Sequence, residues 1–184
     1  MRSLFCCWLL LLSTAAMADD AAWQDWREGK AVLMLRHALA PGTGDPAGFQ
    51  LQDCQTQRNL NQQGRQQAKA WGQKLRQQYS GDIRLYSSQW CRCLETAQLM
   101  AIAPVQPLPA LNSFFAGRGD GQQQTQALLD YFAKASEMPL VLVSHQVNFT
   151  ALTGIFPQSA AGAILALPLT QPATVLASVS LDER

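Results

Sequence analysis

Two kinds of apolar pattern alternate along this chain. Residues 31–35 (AVLML) and 140–144 (LVLVS) are continuous apolar runs with the length of strands that are covered on both faces. Behind Asn61, a good helix N-cap, the pattern changes to a helical period. The regularly spaced apolar positions of that segment are Ala68, Trp71, Leu75 and Tyr79. The pattern therefore predicts buried strands joined by amphipathic helices.

The rest of the chain continues this alternation. Further strands are predicted at residues 83–86, 163–167 and 174–179, with a short extended piece between Pro104 and Pro109. Further helices are predicted at residues 124–136 and 147–154, and one behind a cap formed by Ser87 and Ser88. Polar residues 38–58 and 112–121 are predicted loops. Helices that alternate with apolar strands are typical of an α/β layered fold with a largely parallel sheet.

The first eighteen residues, MRSLFCCWLLLLSTAAMA, have a different character. Arg2 precedes an apolar stretch at residues 4–12, and small residues follow up to Ala18. This is the pattern of a secretory signal that is cut after Ala18, which leaves residues 19–184 as a single domain. The apolar stretch is short for a membrane span, and we expect no stable membrane insertion after cleavage. The expected location is therefore periplasmic or secreted.

Charge and cysteine content narrow the expected partners. The chain has 14 basic and 13 acidic residues, and loss of Arg2 with the signal leaves 13 of each. A net charge near zero argues against nucleic acid or an anionic membrane as the main partner.

Of the cysteines beyond the signal, Cys54 is expected to form a disulfide with Cys91 or with Cys93, leaving one thiol. The cysteine and histidine spacing does not fit a zinc site, and no metal or cofactor is expected.

The two histidines occupy equivalent positions. His37 follows the strand at residues 31–35, with Arg36 beside it, and His145 follows the strand at residues 140–144. In open α/β sheets, ligands bind at the carboxyl ends of the strands. Arg92 is predicted near the start of a helix at the same edge, where an anion is favoured. Two guanidiniums and two imidazoles in this arrangement predict a site for one small oxyanion, and phosphate fits arginine geometry best.

Four segments carry a resemblance to a known family. They are LRHA at 35–38, LNQQGRQQA at 60–68, SSQWCRCLETA at 87–97 and VLVSHQV at 141–147. In this order they resemble the motifs of the histidine phosphatase superfamily, also called phosphoglycerate mutase-like. The resemblance implies a three-layer α/β sandwich with a mostly parallel sheet and helices on both faces. The signal, the R-H-A motif and the cysteine in the following loop are also similar to periplasmic members, including those proposed to act on lipopolysaccharide core heptose phosphate.

The resemblance also implies roles for the site residues. His37 would be the nucleophile that forms a phosphohistidine, while Arg36, Arg92 and His145 would bind the phosphoryl oxygens. It implies a metal-independent, exported phosphomonoesterase that acts on a small-molecule phosphate ester. Two alternatives remain open: a protein phosphohistidine phosphatase, and a non-catalytic module that binds phosphate or a sugar phosphate.

The sequence departs from the family at the proton donor. Ser113 stands where mutase-type members have a glutamate, and Gln146 stands where acid phosphatases have an aspartate after the second histidine. The candidate donors from elsewhere are Asp45, Asp53, Glu95 and Asp120. Loss of a general acid costs about 10²–10⁴ in rate. We therefore expect slow turnover, a preference for good leaving groups, or a donor from one of these four positions.

Overall fold

A computed structural model describes residues 19–181 of the chain, and the predicted signal at residues 1–18 lies outside them. Within the described part, one six-stranded sheet has the order β3-β2-β4-β1-β5-β6. The strands are β1 Ala31–Arg36, β2 Arg84–Ser87, β3 Val105–Pro107, β4 Leu140–Ser144, β5 Gly162–Ala166 and β6 Val175–Val179. Strands β1 to β4 are mutually parallel, and β5 runs antiparallel to both of its neighbours. The expected, mostly parallel sheet is confirmed.

Helices cover both faces of this sheet. In residues 19–181 they are α1 at residues 19–27, α2 Gln62–Gln78, α3 Cys91–Met100, α4 Gly121–Tyr131 and α5 Gln146–Thr153. Single 3-10 turns lie at Cys54–Thr56, Pro109–Leu111 and Phe115–Gly117. Leu33 of β1 packs in the core cluster beneath α1, α2 and α3, whereas its neighbour Met34 packs with residues of α4 and α5. Because alternate strand residues face opposite sides, the continuous apolar runs supply two cores and the predicted three-layer sandwich.

Helix α1 is an element that the patterns described above did not predict. Trp23 and Trp26 lie three residues apart on one face of α1, and both are buried. The Trp26 indole Nε1 also donates a hydrogen bond to the Leu140 carbonyl oxygen at 2.8 Å. Packing against β4 therefore stabilises a helix that would be too short to persist alone in water.

The starts of α2 and α3 differ in how well they were predicted. The Asn61 side chain accepts a hydrogen bond from the Gly64 amide, so the predicted cap of α2 is confirmed. Gly64 also allows a close approach, because a Cβ atom there would lie 2.2 Å from the Leu39 carbonyl oxygen. The predicted serine cap of α3 is wrong: Trp90 is the N-cap residue and makes no side-chain cap. The Ser88 hydroxyl contacts His145 instead.

One disulfide joins Cys54 in the loop after β1 to Cys91 in the first turn of α3, with Cα atoms 5.7 Å apart. Cys93 is the free thiol, and it is buried. The bridge is one of the two pairings left open by the sequence. No helix among residues 19–181 is long and apolar enough to span a membrane.

Candidate active site

The two histidines meet because β1 and β4 are adjacent and parallel. Arg36 is in register with Ser144, so the next residue of each strand reaches the same point on the sheet edge. The His37 and His145 ring centroids are 5.6 Å apart, and both side chains are almost fully buried. The structure therefore brings together the two imidazoles that the sequence placed at separate strand ends.

Arg92 lies between these rings. It comes from the first turn of α3, and only 3% of its surface is exposed. Its Nε lies 3.2 Å from the His37 Nε2, and its Nη2 lies 3.3 Å from the His145 Nδ1. One guanidinium thus contacts both imidazoles.

Hydrogen-bond partners define the tautomer of His37. Its Nδ1 lies 2.7 Å from the Ala38 carbonyl oxygen, which only accepts, so Nδ1 carries the proton. The Arg92 Nε only donates, so the His37 Nε2 presents its lone pair toward Arg92. Nε2 is therefore the unprotonated nitrogen of this ring.

The tautomer of His145 is the opposite one. Its Nδ1 faces the donating Nη2 of Arg92 and accepts, so its Nε2 carries the proton. That Nε2 lies 2.8 Å from the Ser88 hydroxyl, which in turn donates to the Asn112 side-chain oxygen at 3.2 Å. This chain fixes the His145 ring and turns its unprotonated nitrogen toward Arg92.

Both imidazoles are held in the neutral form. Burial lowers the pKa of His37 and of His145 well below the ordinary value, and the charge of Arg92 lowers both further. A neutral ring is the form that has a free lone pair for attack. The environment therefore keeps both rings neutral at neutral pH.

Two further arginines reach the site. The Arg36 Nη1 donates to the Pro157 carbonyl oxygen at 3.0 Å, whereas its buried Nε has no hydrogen-bond partner. Arg58 was not identified from the sequence; its Nε donates to the Gly44 carbonyl oxygen at 2.8 Å. Burial lowers the pKa of Arg58 to about 10, which leaves it charged at neutral pH. Its signal in the sequence was faint: it is the one basic residue between His37 and Asn61.

These groups lie on an open cavity of about 230 Å³. Its lining residues are Arg36, His37, Gly42, Thr43, Gly44, Arg58, Arg92, Ser113, Phe115, His145, Gln146, Val147 and Phe156. No aspartate or glutamate lines it within the described part of the chain. Elsewhere in residues 19–181, no group of three or more His, Cys, Asp or Glu side chains is arranged to hold a metal ion. The cavity is cationic and fits a phosphate group.

The four candidate proton donors lie outside this lining. Asp45 is paired with Arg92 at 2.7 Å, and Glu95 is paired with Arg65 at 2.6 Å. The Asp53 carboxylate caps the 3-10 turn at Cys54–Thr56, and the Asp120 carboxylate caps α4. Each carboxylate therefore already has a partner of its own.

The α/β sandwich places an arginine between two strand-end histidines and so forms a cationic site for a small anion. Residues 32–139 match the model of the histidine phosphatase superfamily, branch 1. Because this match spans more than half of the chain, the protein belongs to that superfamily. No curated protein matches the chain in sequence.

Solved structures share the fold at low identity. A structure of the protein histidine phosphatase SixA complexed with tungstate is 20% identical, with a TM-score of 0.57 over 82% of this chain and 97% of that chain. A phosphoserine phosphatase from Entamoeba histolytica, in complex with 3-phosphoglyceric acid, is 16% identical, with a TM-score of 0.58 over 82% and 96%. A mycobacterial glucosyl-3-phosphoglycerate phosphatase is 17% identical, with a TM-score of 0.51 over 74% and 89%.

Proposed function

We propose that this protein is a phosphatase that hydrolyses a small phosphorylated substrate through a phosphohistidine intermediate on His37. The observation that carries the proposal is the geometry of the His37 Nε2: its lone pair faces a buried guanidinium at 3.2 Å on the floor of a cationic cavity. Membership of the histidine phosphatase superfamily supports the same chemistry.

In the first step, the phosphoryl oxygens of the ester bind the guanidiniums of Arg36, Arg58 and Arg92. These three charges oppose one carboxylate, that of Asp45, so the site retains excess positive charge to neutralise the transferring group. The His37 Nε2 attacks phosphorus, a P–N bond forms, and the P–O bond breaks. The leaving group departs with the electron pair of that bond as an anion and takes its proton from bulk water. The guanidiniums supply the positive charge, so the proposed step uses no metal ion.

In the second step, water attacks the phosphohistidine. The P–N bond breaks, Nε2 recovers its electron pair, and inorganic phosphate carries the water oxygen away. The His145 Nδ1, an acceptor in the free site, takes one proton from the attacking water and passes it to a phosphoryl oxygen, so that the product leaves as H2PO4⁻. The cycle therefore closes without an external co-reactant.

The absence of a carboxylate from the described cavity lining supports a substrate with a good leaving group. An alkoxide leaves poorly without a proton donor, and the cost is about 10²–10⁴ in rate. A phenolate, a carboxylate or an imidazole leaves more readily. Aryl phosphates, acyl phosphates and phosphohistidine are accordingly the expected fast substrates.

Protein phosphohistidine is a second candidate substrate. The same lack of a proton donor favours it, and one structural neighbour is described as a protein histidine phosphatase. An exported location argues against it. We propose that residues 1–18 direct export, and the Cys54–Cys91 disulfide supports an oxidising compartment. For an exported enzyme that resembles periplasmic members, lipopolysaccharide core heptose phosphate becomes a candidate substrate.

The test uses residues 19–184 and p-nitrophenyl phosphate, whose leaving group scarcely needs an acid. We expect turnover that His37→Ala abolishes. We also expect the wild-type protein to give a trapped, acid-labile phosphoryl group on His37. Asp120→Asn, which alters a carboxylate outside the cavity lining, should behave like the wild type. Phosphate binding without any turnover that depends on His37 would instead identify a non-catalytic binding module.

The substrate classes are separated by a second panel. Phosphohistidine peptide, acetyl phosphate and a sugar phosphate monoester are compared at equal concentration. Faster turnover of the peptide than of either small compound would favour the phosphohistidine phosphatase.

A further inference from the structure

Asp45 is a buried carboxylate with an unusually complete set of donors. It lies in the loop between β1 and α2, and its side chain is 3% exposed. Its Oδ1 accepts from the Arg92 Nη1 at 2.7 Å and from the Arg58 backbone amide at 3.1 Å. Its Oδ2 accepts from the Trp90 indole at 3.0 Å and from the Arg92 Nη2 at 3.3 Å. Both oxygens are therefore fixed by two donors each.

This arrangement divides the Arg92 guanidinium into two edges. Asp45 binds the edge formed by Nη1 and Nη2. The other edge, formed by Nε and Nη2, faces the His37 Nε2 and the His145 Nδ1. Because a guanidinium is planar and rigid, a carboxylate that holds one edge also sets the direction of the other.

We infer that Asp45 is a positioning residue for phosphoryl transfer: it holds the Nη1/Nη2 edge of Arg92 so that the Nε/Nη2 edge is presented to phosphoryl oxygens between the two histidines. The inference rests on the proposed function, since it requires that Arg92 bind the phosphoryl group. It gives Asp45 a role other than the proton donation considered from the sequence.

Three consecutive residues tie α3 to the Asp45 loop. Trp90 donates to Asp45, the Cys91 amide donates to the Gln57 side-chain oxygen at 3.0 Å, and Arg92 pairs with Asp45. The Cys54–Cys91 disulfide adds a covalent link at the same place. The loop is therefore anchored at the start of α3, and the Asp45 carboxylate has a fixed position from which to hold Arg92.

The negative charge of Asp45 distinguishes two possible roles of this carboxylate, a counter-charge and an orienting group. Burial raises the pKa of Asp45, but the hydrogen bond and the charge of Arg92 hold that pKa below its ordinary value, so the group is ionised at neutral pH. A negative charge this close to an anion site opposes anion binding. A carboxylate that only offset the charge of Arg92 would therefore weaken phosphate binding, whereas one that orients Arg92 strengthens it.

Two variants separate these roles. Asp45→Asn removes the charge and one of the two acceptor oxygens while keeping the size of the side chain. Asp45→Glu keeps the charge but moves the carboxylate by one methylene. The matched control is Asp53→Asn, which removes one negative charge from the same loop at an N-cap position, where asparagine serves as well as aspartate.

The measurements are kcat and KM for p-nitrophenyl phosphate, the inhibition constants of inorganic phosphate and orthovanadate, and the unfolding midpoint. For both Asp45 variants we expect the inhibition constants to rise about tenfold or more, and kcat/KM to fall about 10- to 100-fold, because a displaced guanidinium loses its aligned contacts. Asp53→Asn should stay within about twofold of the wild type.

The opposite pattern would overturn the inference. If Asp45→Asn binds phosphate as tightly as, or more tightly than, Asp53→Asn while Asp45→Glu matches the wild type, Asp45 acts only as a counter-charge. Should Asp45→Asn not fold, Asp45→Glu decides alone, since only a positioning role predicts weaker binding with the charge intact. A wild-type protein without turnover dependent on His37 would contradict the proposed function, whereas active wild type with unaffected Asp45 variants contradicts this inference alone.

Discussion

The floor of the cavity, formed by His37, Arg92 and His145, differs in exposure from its mouth, formed by Phe115 and Phe156. On the floor, His37, Arg92 and His145 are each 2–3% exposed, and their ring and guanidinium nitrogens all have partners. At the mouth, Phe115 is 43% exposed and Phe156 is 66% exposed. A preorganised floor is what electrostatic catalysis needs, whereas an open mouth can adapt to one substrate or another. The comparison separates the residues expected to set the chemistry from those expected to set specificity.

The largest effect is expected from a substitution at the floor of the cavity. Arg92→Ala should lower kcat/KM for p-nitrophenyl phosphate by about 10²–10³, the usual loss when one donor to a transition-state oxyanion is removed. It also leaves the Asp45 carboxylate buried without its cation, which should cost about 3–5 kcal/mol of the free energy of unfolding. Steady-state kinetics and urea unfolding measure the two effects.

Arg65→Ala is the matched control for that change. Arg65 pairs with Glu95 at 2.6 Å, but both side chains are substantially exposed. Its loss should cost less than about 1 kcal/mol and leave turnover unchanged. Equal destabilisation by the two substitutions would show that the floor is not the buried, electrostatically coupled region described above.

The second prediction concerns the Cys54–Cys91 disulfide, which joins the loop after β1 to the start of α3. The disulfide closes a sequence separation of 37 residues, for which loop-closure entropy gives about 3–4 kcal/mol of stabilisation. Cys54→Ser/Cys91→Ser, or reduction of the wild type, should lower the free energy of unfolding by this amount in urea titrations. Reductant should have no effect on the double variant, and a wild type insensitive to reductant would contradict the prediction.

The third prediction uses pH. Because the folded pKa values of His37 and His145 lie below the unfolded value near 6.5, the unfolded chain binds more protons below that pH. The contribution of the two histidines to the free energy of unfolding should therefore be fully present above pH 6.5. Below that pH it should fall by about 1.4 kcal/mol per pH unit for each histidine. Urea unfolding between pH 7 and pH 5 measures this slope.

Turnover should respond differently from stability in the same range. The His37 Nε2 resists protonation below pH 6.5, so kcat should fall much less toward pH 5.5 than it would for an ordinary histidine, which is roughly 90% protonated there. A tenfold decrease in kcat over that interval would mean that His37 titrates normally and that the floor does not protect its neutral form.

The smallest expected effect lies at the mouth. Phe156→Ala should lower kcat/KM for p-nitrophenyl phosphate about two- to tenfold, because an aromatic pair contributes about 0.5–1.5 kcal/mol. Acetyl phosphate, which has no ring, should be unaffected. Tyr131→Ala, at an exposed aromatic residue outside the cavity lining, is the control. Equal losses with both substrates would assign Phe156 a general structural role.

The sequence predicted the parts of the site that follow directly from strand ends. Each continuous apolar run ends in a histidine, and parallel pairing of β1 with β4 then brings His37 and His145 together. Arg58 and the pairing of Asp45 with Arg92 could not be read in this way, because they depend on the path of the loop at residues 38–58. That path is set by tertiary hydrogen bonds and by the disulfide rather than by a local period.

Two further features escaped prediction for a related reason. Residues 19–27 were assigned no element from the sequence, and they form α1 where β4 supplies a partner for Trp26. Ser88 has the composition of a helix cap, but its hydroxyl fills a position between His145 and Asn112. In both places a long-range contact outweighs the local preference, and no pattern along the chain encodes that contact.

The position of Cys93 has a consequence for how the chain acquires its bridge. Cys91 and Cys93 are two residues apart on α3, so their side chains diverge by about 200° around the helix axis. A mispaired bridge between Cys54 and Cys93 would require α3 to turn about half-way round, which would carry Arg92 away from both histidines. A molecule with the wrong bridge therefore cannot place Arg92 between the two histidines, and it should retain secondary structure but lose much of its anion affinity.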